Sequence, residues 1–296
     1  MKINLVNGGI FPIKNETQTD STGYKVAGTF QGEGKLIGTA CLFIRTSACN
    51  LRCAWLGADG NGSPCDTPYS SHKPEKNRME IDDIIKIVVD NTKDQNIKHI
   101  VISGGEPTMQ DEALAQLCVT LKELGYHITL ETNGTIFNES FANYIQLYSM
   151  SPKLSSSIPI QAHLKNTGIE YSEKWVNTHE RLRINIPAIQ SFIDMCYHVD
   201  YPHDPNSPKD YRWRDRSYDF QLKFVVSSPE DIEEIERDFL SKLNGVNPDD
   251  VVLMPEGVTT EDLMSKTKWV SEAALKRGWR FTPRLHVLMF GKNRFV

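Results

Sequence analysis

The stretch His99-Ile100-Val101-Ile102-Ser103-Gly104-Gly105-Glu106-Pro107 decides the architecture. Its apolar, β-branched run has the length of a strand buried in a sheet, and it stops at a glycine pair. A helical pattern follows over about 110–124 and stops at Gly125, where a glycine can adopt the left-handed conformation that ends a helix. His127-Ile128-Thr129-Leu130 is then a second strand, ending at Glu131-Thr132-Asn133-Gly134.

The same unit recurs on both sides. Upstream, the strand-like run Ala40 to Arg45 leads into a cysteine-containing loop, and a helix over about 80–95 turns Ile81, Ile84, Ile85 and Val88 to one face. Downstream, Tyr148-Ser149-Met150 ends at Ser151-Pro152-Lys153. Phe220 to Val226 precedes a helix using Ile232, Ile235, Phe239 and Leu243. Val251 to Met254 ends at Pro255-Glu256-Gly257 before a helix over about 260–277. Repeated strand–helix units predict an α/β fold with a mostly parallel sheet and right-handed crossovers. Each polar or glycine-rich segment follows its strand, so all of them gather at the carboxyl edge of the sheet, where such folds bind ligands. One barrel-like domain over 1–296 is expected. Residues 155–218 interrupt the rhythm and read as an insertion with one helix over about 173–198.

Composition sets the limits. With 296 residues, 39% hydrophobic and 24% charged, the chain is ordinary for a globular protein and long enough to bury a core without disulfides. The charge sum, 33 − 38 = −5, offers no footprint for nucleic acid. No apolar run approaches the roughly 18 residues of a membrane span, and the N-terminus is too short and polar for a signal peptide. The chain reads as soluble and cytoplasmic, with no nucleic-acid or membrane partner.

The 6 cysteines divide unevenly. Cys49, Cys53 and Cys65 are clustered, whereas Cys41, Cys118 and Cys196 sit among apolar neighbours and read as small buried hydrophobes. Without a secretion signal, a disulfide framework is a poor reading of the cluster, and metal or redox chemistry a better one. The glycine-rich segment from Ala54 to Pro64 reads as a flexible loop that returns Cys65 to the first two thiols. Three thiolates suit either a zinc site needing a fourth ligand, with His72 awkwardly placed, or a [4Fe–4S] cluster with one iron left open.

Cys49-Asn50-Leu51-Arg52-Cys53 after one strand and Gly104-Gly105-Glu106-Pro107 after the next resemble the radical S-adenosylmethionine (SAM) superfamily. Further segments narrow the match: Phe30-Gln31-Gly32-Glu33-Gly34, Phe43-Ile44-Arg45, Cys65-Asp66-Thr67-Pro68-Tyr69, Ser151-Pro152-Lys153, Gln221-Leu222-Lys223-Phe224-Val225 and Arg284-Leu285-His286-Val287. In this order they look like the 7-carboxy-7-deazaguanine synthase family. The resemblance implies a partial (β/α) barrel that converts 6-carboxy-5,6,7,8-tetrahydropterin to 7-carboxy-7-deazaguanine with loss of ammonia. It implies a [4Fe–4S] cluster, SAM and Mg²⁺, a homodimer, and an electron donor such as flavodoxin or ferredoxin.

By the same resemblance, Cys49, Cys53 and Cys65 hold the cluster and Thr67 the Mg²⁺. Phe30, Gln31, Gly32, Glu33, Arg45, Ser103, His286 and the terminal carboxylate of Val296 contact substrate. Gly104, Gly105, Glu106, Glu131, Ser151, Pro152, Lys153, Met254, Pro255, Glu256 and Gly257 contact SAM. A guanidinium at Arg45 suits the substrate carboxylate better than an ammonium would. The cofactor carries the radical chemistry, hydrogen-atom abstraction at the pterin C6 followed by ring contraction, so no protein nucleophile is expected. Two features depart from the pattern: the gap of eleven residues between Cys53 and Cys65, and the 155–218 insertion. The rival readings are a radical SAM enzyme of another kind, such as a glycyl-radical activase, and a non-enzymatic zinc-binding protein.

Overall fold

The computed structural model describes residues 1–14, 26–57, 59–197, 217–291 and 293–294. Its strands and helices, in chain order, begin with β1 (Lys2–Phe11), β2 (Thr29–Phe30), β3 (Ala40–Thr46), β4 (Ala54–Leu56), β5 (Gly62–Pro64), β6 (Asn77–Glu80) and α1 (Ile81–Thr92). Then come β7 (His99–Gly104), α2 (Asp111–Glu123), β8 (His127–Thr132), α3 (Glu139–Ala142), β9 (Leu147–Met150), α4 (Glu173–Leu182) and α5 (Ile186–Asp194). The chain ends with β10 (Asp219–Val226), α6 (Pro229–Glu234), β11 (Val251–Pro255), α7 (Thr260–Arg277), β12 (Arg280–Phe281) and α8 (Leu285–Phe290).

The main sheet has the order β12-β11-β10-β9-β8-β7-β3-β1-β6, with β2 beside β3. From β3 through β12 every pairing is parallel and each new strand adds beside the last, as the repeated units predict. The central strands are buried on both faces, and α2 turns Ala113, Leu114, Leu117, Cys118 and Leu121 into the core. Cys41, Cys118 and Cys196 are all fully buried, as their apolar neighbours foretold.

The structure departs from the sequence reading at four places. The first ten-residue strand, β1, runs antiparallel between β3 and β6 and was not anticipated. Its Asn7-Gly8-Gly9 breaks the expected alternation, and there the register shifts between Leu5 and Ile10. The helix expected over 173–198 is two, α4 and α5. Asn185 caps α5 through Ala188 N–H, and the proline at its start has no N–H with which to continue a helix. The residues from 198 to 216 lie outside the described ones. The helix after β10 continues past α6 as a wider π-helical turn over Ile235–Phe239. Finally, the glycine-rich stretch between Cys53 and Cys65 is a β-hairpin.

The loop after β2, beside β3, reaches across to the β10–β12 side of the sheet. Gly34 N–H donates to Thr282 Oγ1 (2.8 Å) and Lys35 N–H to Gln221 Oε1 (2.7 Å). The half-buried Lys35 places its ammonium between Asp219 (2.8 Å) and Asp250 (2.9 Å), and it also donates to Phe220 O (2.7 Å). Because this loop carries residues 31–33, these contacts also hold them over the sheet, where they line the cavity at its carboxyl edge.

His99, at the far edge, is 4% exposed; its Nε2 pairs with Thr129 Oγ1 (2.8 Å), and its ring meets His127 edge-on. Burial, with the neighbouring His127, lowers its pKa from 6.5 to about 4. The unfolded chain therefore binds more protons between about pH 4 and 6.5, so stability falls as pH drops through that window. Urea unfolding followed by tryptophan fluorescence at pH 7.5 and 5.0 should show His99→Gln removing about 2 kcal/mol of that loss.

Candidate active site

The cysteine loop begins where β3 ends. Arg52 folds back so that Nη1 donates to Cys49 O (2.7 Å) and Leu51 O (2.9 Å), and Leu51 N–H points at Cys49 Sγ (3.4 Å). Beyond Cys53, β4 and β5 pair Ala54 with Pro64, Trp55 with Ser63 and Leu56 with Gly62. Cys65 N–H then donates to Cys53 O (2.9 Å). The long gap is therefore taken up by a hairpin whose two ends are these cysteines, and all three thiols line one cavity.

Among the described residues no three His, Cys, Asp or Glu side chains gather as they would around a single metal ion. The thiols instead border a shared space. Burial, helped by the Glu106 carboxylate, pushes the Cys49 thiol up to about 12. Burial also raises Cys53, against the opposing charge of Lys153. Thiols so placed become thiolates when a cationic centre binds beside them, which is the donor chemistry an iron–sulfur cluster needs.

The glycines of the 104–107 turn let that loop pack against the strand end. A Cβ on Gly105 would lie 2.0 Å from Ala48 O, and Glu106 N–H donates to the same carbonyl (2.8 Å). Glu106 itself is a correction to the sequence reading. It is fully buried and does not line the cavity. Its carboxylate accepts from Thr108 Oγ1 (2.7 Å) and N (3.1 Å), Thr132 Oγ1 (2.8 Å) and Asn133 N (2.7 Å). Every oxygen is engaged by the protein, so this glutamate fastens the turn after β8 to the turn after β7 and has no free face for an ammonium. Pro152 and Pro255 are likewise buried behind the wall. Ser103, Gly104, Gly105, Glu131, Ser151, Lys153, Met254, Glu256 and Gly257 do face the cavity.

The same cavity holds a charge network that reaches the residue after Cys65. The Glu33 carboxylate meets Arg284 Nε (3.0 Å), the Lys223 ammonium and His286 Nε2 (3.8 Å). Burial would raise its pKa, but Lys223, Arg284 and His286 outweigh that and hold it well below the usual carboxylate range. Arg284 also donates to Gly257 O (2.8 Å) and to Asp66. Gly32 is where His286 needs room, since a Cβ would lie 2.4 Å from its Nδ1. Gln31 Nε2 donates to Glu131 Oε1 (3.1 Å), while Phe30 lies at the cavity mouth. Thr67 Oγ1 is 3.4 Å from Cys65 Sγ at the same wall.

Arg45 differs from all of these cations. It lines the cavity but donates no hydrogen bond among the described residues, and its Nε is buried without a partner. Its guanidinium lies over Phe11 (5.0 Å), which stacks on Phe43. A half-buried guanidinium with unused donors facing a cavity is a site for an anion.

Of the residues anticipated from sequence, the structure thus brings all but Glu106, Pro152 and Pro255 to one cavity; Val296 lies outside the described residues. Among the lining residues given no role from sequence are four that bear on the chemistry: Trp55, Asp66, Lys223 and Arg284. Lys223 had a signal, because a lysine amid the apolar run of β10 must be paired inside the sheet.

The Radical SAM superfamily profile matches residues 43–201. The 7-carboxy-7-deazaguanine synthase of Halobacterium salinarum is 37% identical over 267 residues, covering 88% of this chain and 87% of its own. That of Rhodopirellula baltica is 32% identical, covering 89% and 84%. The crystal structure of QueE from Escherichia coli, 20% identical, shares the fold at a TM-score of 0.52 over 94% of this chain and 95% of its own.

Removing the guanidinium should expose the cost of the network. Arg284→Gln takes from Asp66 the guanidinium it is bonded to and leaves Glu33 with Lys223 and His286, so the loss in urea unfolding should be about 2–3 kcal/mol.

Proposed function

Because this chain belongs to the 7-carboxy-7-deazaguanine synthase family of the radical SAM superfamily, we propose a role for each wall of its cavity. The reaction is the conversion of 6-carboxy-5,6,7,8-tetrahydropterin to 7-carboxy-7-deazaguanine. Bound together, a [4Fe–4S] cluster and SAM supply the radical chemistry that starts it. The protein binds, orients and excludes water.

Cys49, Cys53 and Cys65 would hold the cluster, and three thiolate ligands would leave it able to bind SAM. The strand ends carrying Ser103 to Gly105, Glu131, Ser151, Lys153 and Met254 to Gly257 form the SAM side. Gln31 and Glu33 face the aminopyrimidinone edge of the pterin, where an ionised carboxylate and an amide meet its donors and acceptors. Lys223 and Arg284 serve that contact by keeping Glu33 charged. His286 closes the same side. Arg45 takes the substrate carboxylate, and the observation that carries this reading is its place in the cavity wall with no hydrogen-bond partner among the described residues, its Nε buried. Thr67 would contribute its hydroxyl to a Mg²⁺ site that needs further oxygen ligands, since a lone hydroxyl does not hold that ion. A homodimer and an external donor such as flavodoxin or ferredoxin belong to the same proposal.

The decisive experiment is anaerobic reconstitution with iron and sulfide, then turnover of the carboxytetrahydropterin with SAM, Mg²⁺ and a reductant. Mass detection of the deazaguanine product is the expected result. SAM cleavage without that product would overturn the substrate assignment. Arg45→Gln should lower kcat/KM by about 10²–10³-fold, mostly through KM, the scale expected for losing a desolvated ion pair. Arg45→Lys should restore little of it.

A further inference from the structure

A hairpin of three-residue strands is not stable by itself, so the position of Cys65 needs outside support. That support comes from the start of the inserted segment. Gly62 N–H donates to Lys165 O (2.8 Å), and Asn166 Nδ2 donates to Asn61 Oδ1 (2.7 Å). His163 Nδ1 lies 3.1 Å from Ala54 O and 2.8 Å from Ile158 O. Both partners are carbonyls, which only accept, so Nδ1 carries the proton and is shared between them. The packing is close: a Cβ on Gly62 would lie 2.3 Å from His163 O. Leu182 of α4 packs on Leu51, Cys53 and Trp55, covering the loop from a second direction. On the hairpin's other side, Ser63 Oγ donates to Glu256 Oε1 (3.0 Å).

We propose that residues 158–167 form a brace for the cluster's third ligand, with His163 as its positioning residue. The inference rests on the assignment of Cys49, Cys53 and Cys65 as cluster ligands. The long gap and the insertion are then two halves of one device: the hairpin lengthens the chain before Cys65, and the brace removes the freedom that this length adds. His163 acts on the ligand through Ala54, the residue after Cys53, and its neighbour Lys165 acts through Gly62, three residues before Cys65.

The test follows the cluster itself. Wild type, His163→Ala, His163→Asn and Gly62→Ala are reconstituted anaerobically. Iron content, the EPR spectrum of the reduced cluster and the decay of its visible absorption in air are then measured. His163→Ala should lose its cluster about fivefold faster, the factor set by the net worth of one hydrogen bond. His163→Asn should recover most of that retention, because its amide N–H stands near the place of Nδ1. Gly62→Ala should reproduce the defect from the hairpin side, and decides alone if His163→Ala does not fold. Wild-type retention and an unchanged EPR spectrum in His163→Ala and Gly62→Ala would overturn the brace. Failure of wild type to assemble any [4Fe–4S] cluster would instead overturn the ligand assignment on which it rests.

Discussion

One buried guanidinium holds the two halves of the cavity in register. Arg284 reaches Glu33 in the loop after β2, Asp66 beside the third cysteine, and Gly257 in the turn after β11. These segments come from distant parts of the chain, and Arg284 bonds to all three. Fixing them with one rigid, planar group limits how far any can move without stranding a buried charge. The loop after β2, the cysteine loop and the turn after β11 thus share one anchor. Its charge also does chemical work, since with Lys223 it keeps Glu33 ionised inside the protein.

A second constraint acts on the thiol side. The Glu106 carboxylate receives donors from the turns after both β7 and β8, while Ala48 of the cysteine loop rests directly on Gly105. The glycine pair is needed for this close approach, and the glutamate for joining neighbouring strand ends. The sheet's carboxyl edge is therefore stiff before any ligand arrives, as precise orientation of a radical reaction demands.

Much of this was legible in the sequence because strand periodicity, glycine-terminated strands and cysteine spacing are local properties. The parallel units, the buried nature of Cys41, Cys118 and Cys196, and the gathering of Ser103, Gly105, Ser151 and Lys153 at one edge follow from such patterns. Other features were hidden. Strand β1 is broken by Asn7-Gly8-Gly9, and its partners lie at distant positions in the chain. The segment from Ala54 to Pro64 has the composition of a loop, yet it is a hairpin because residues 163–166 supply contacts along its edge. Glu106 has the same local signature whether it faces a ligand or the interior.

The sequence by itself determined the sheet's direction, the edge at which chemistry occurs, and the residue types available there. It did so because hydrophobic period and turn residues act over a few positions. Tertiary structure alone decided which carboxylate is exposed to the cavity and which is consumed by the fold. It also decided which cation is already paired and which is free, and how an eleven-residue gap brings Cys65 back beside Cys53. Those outcomes depend on desolvation and on partners up to 251 positions away, as with Glu33 and Arg284, and no local pattern encodes such a pairing.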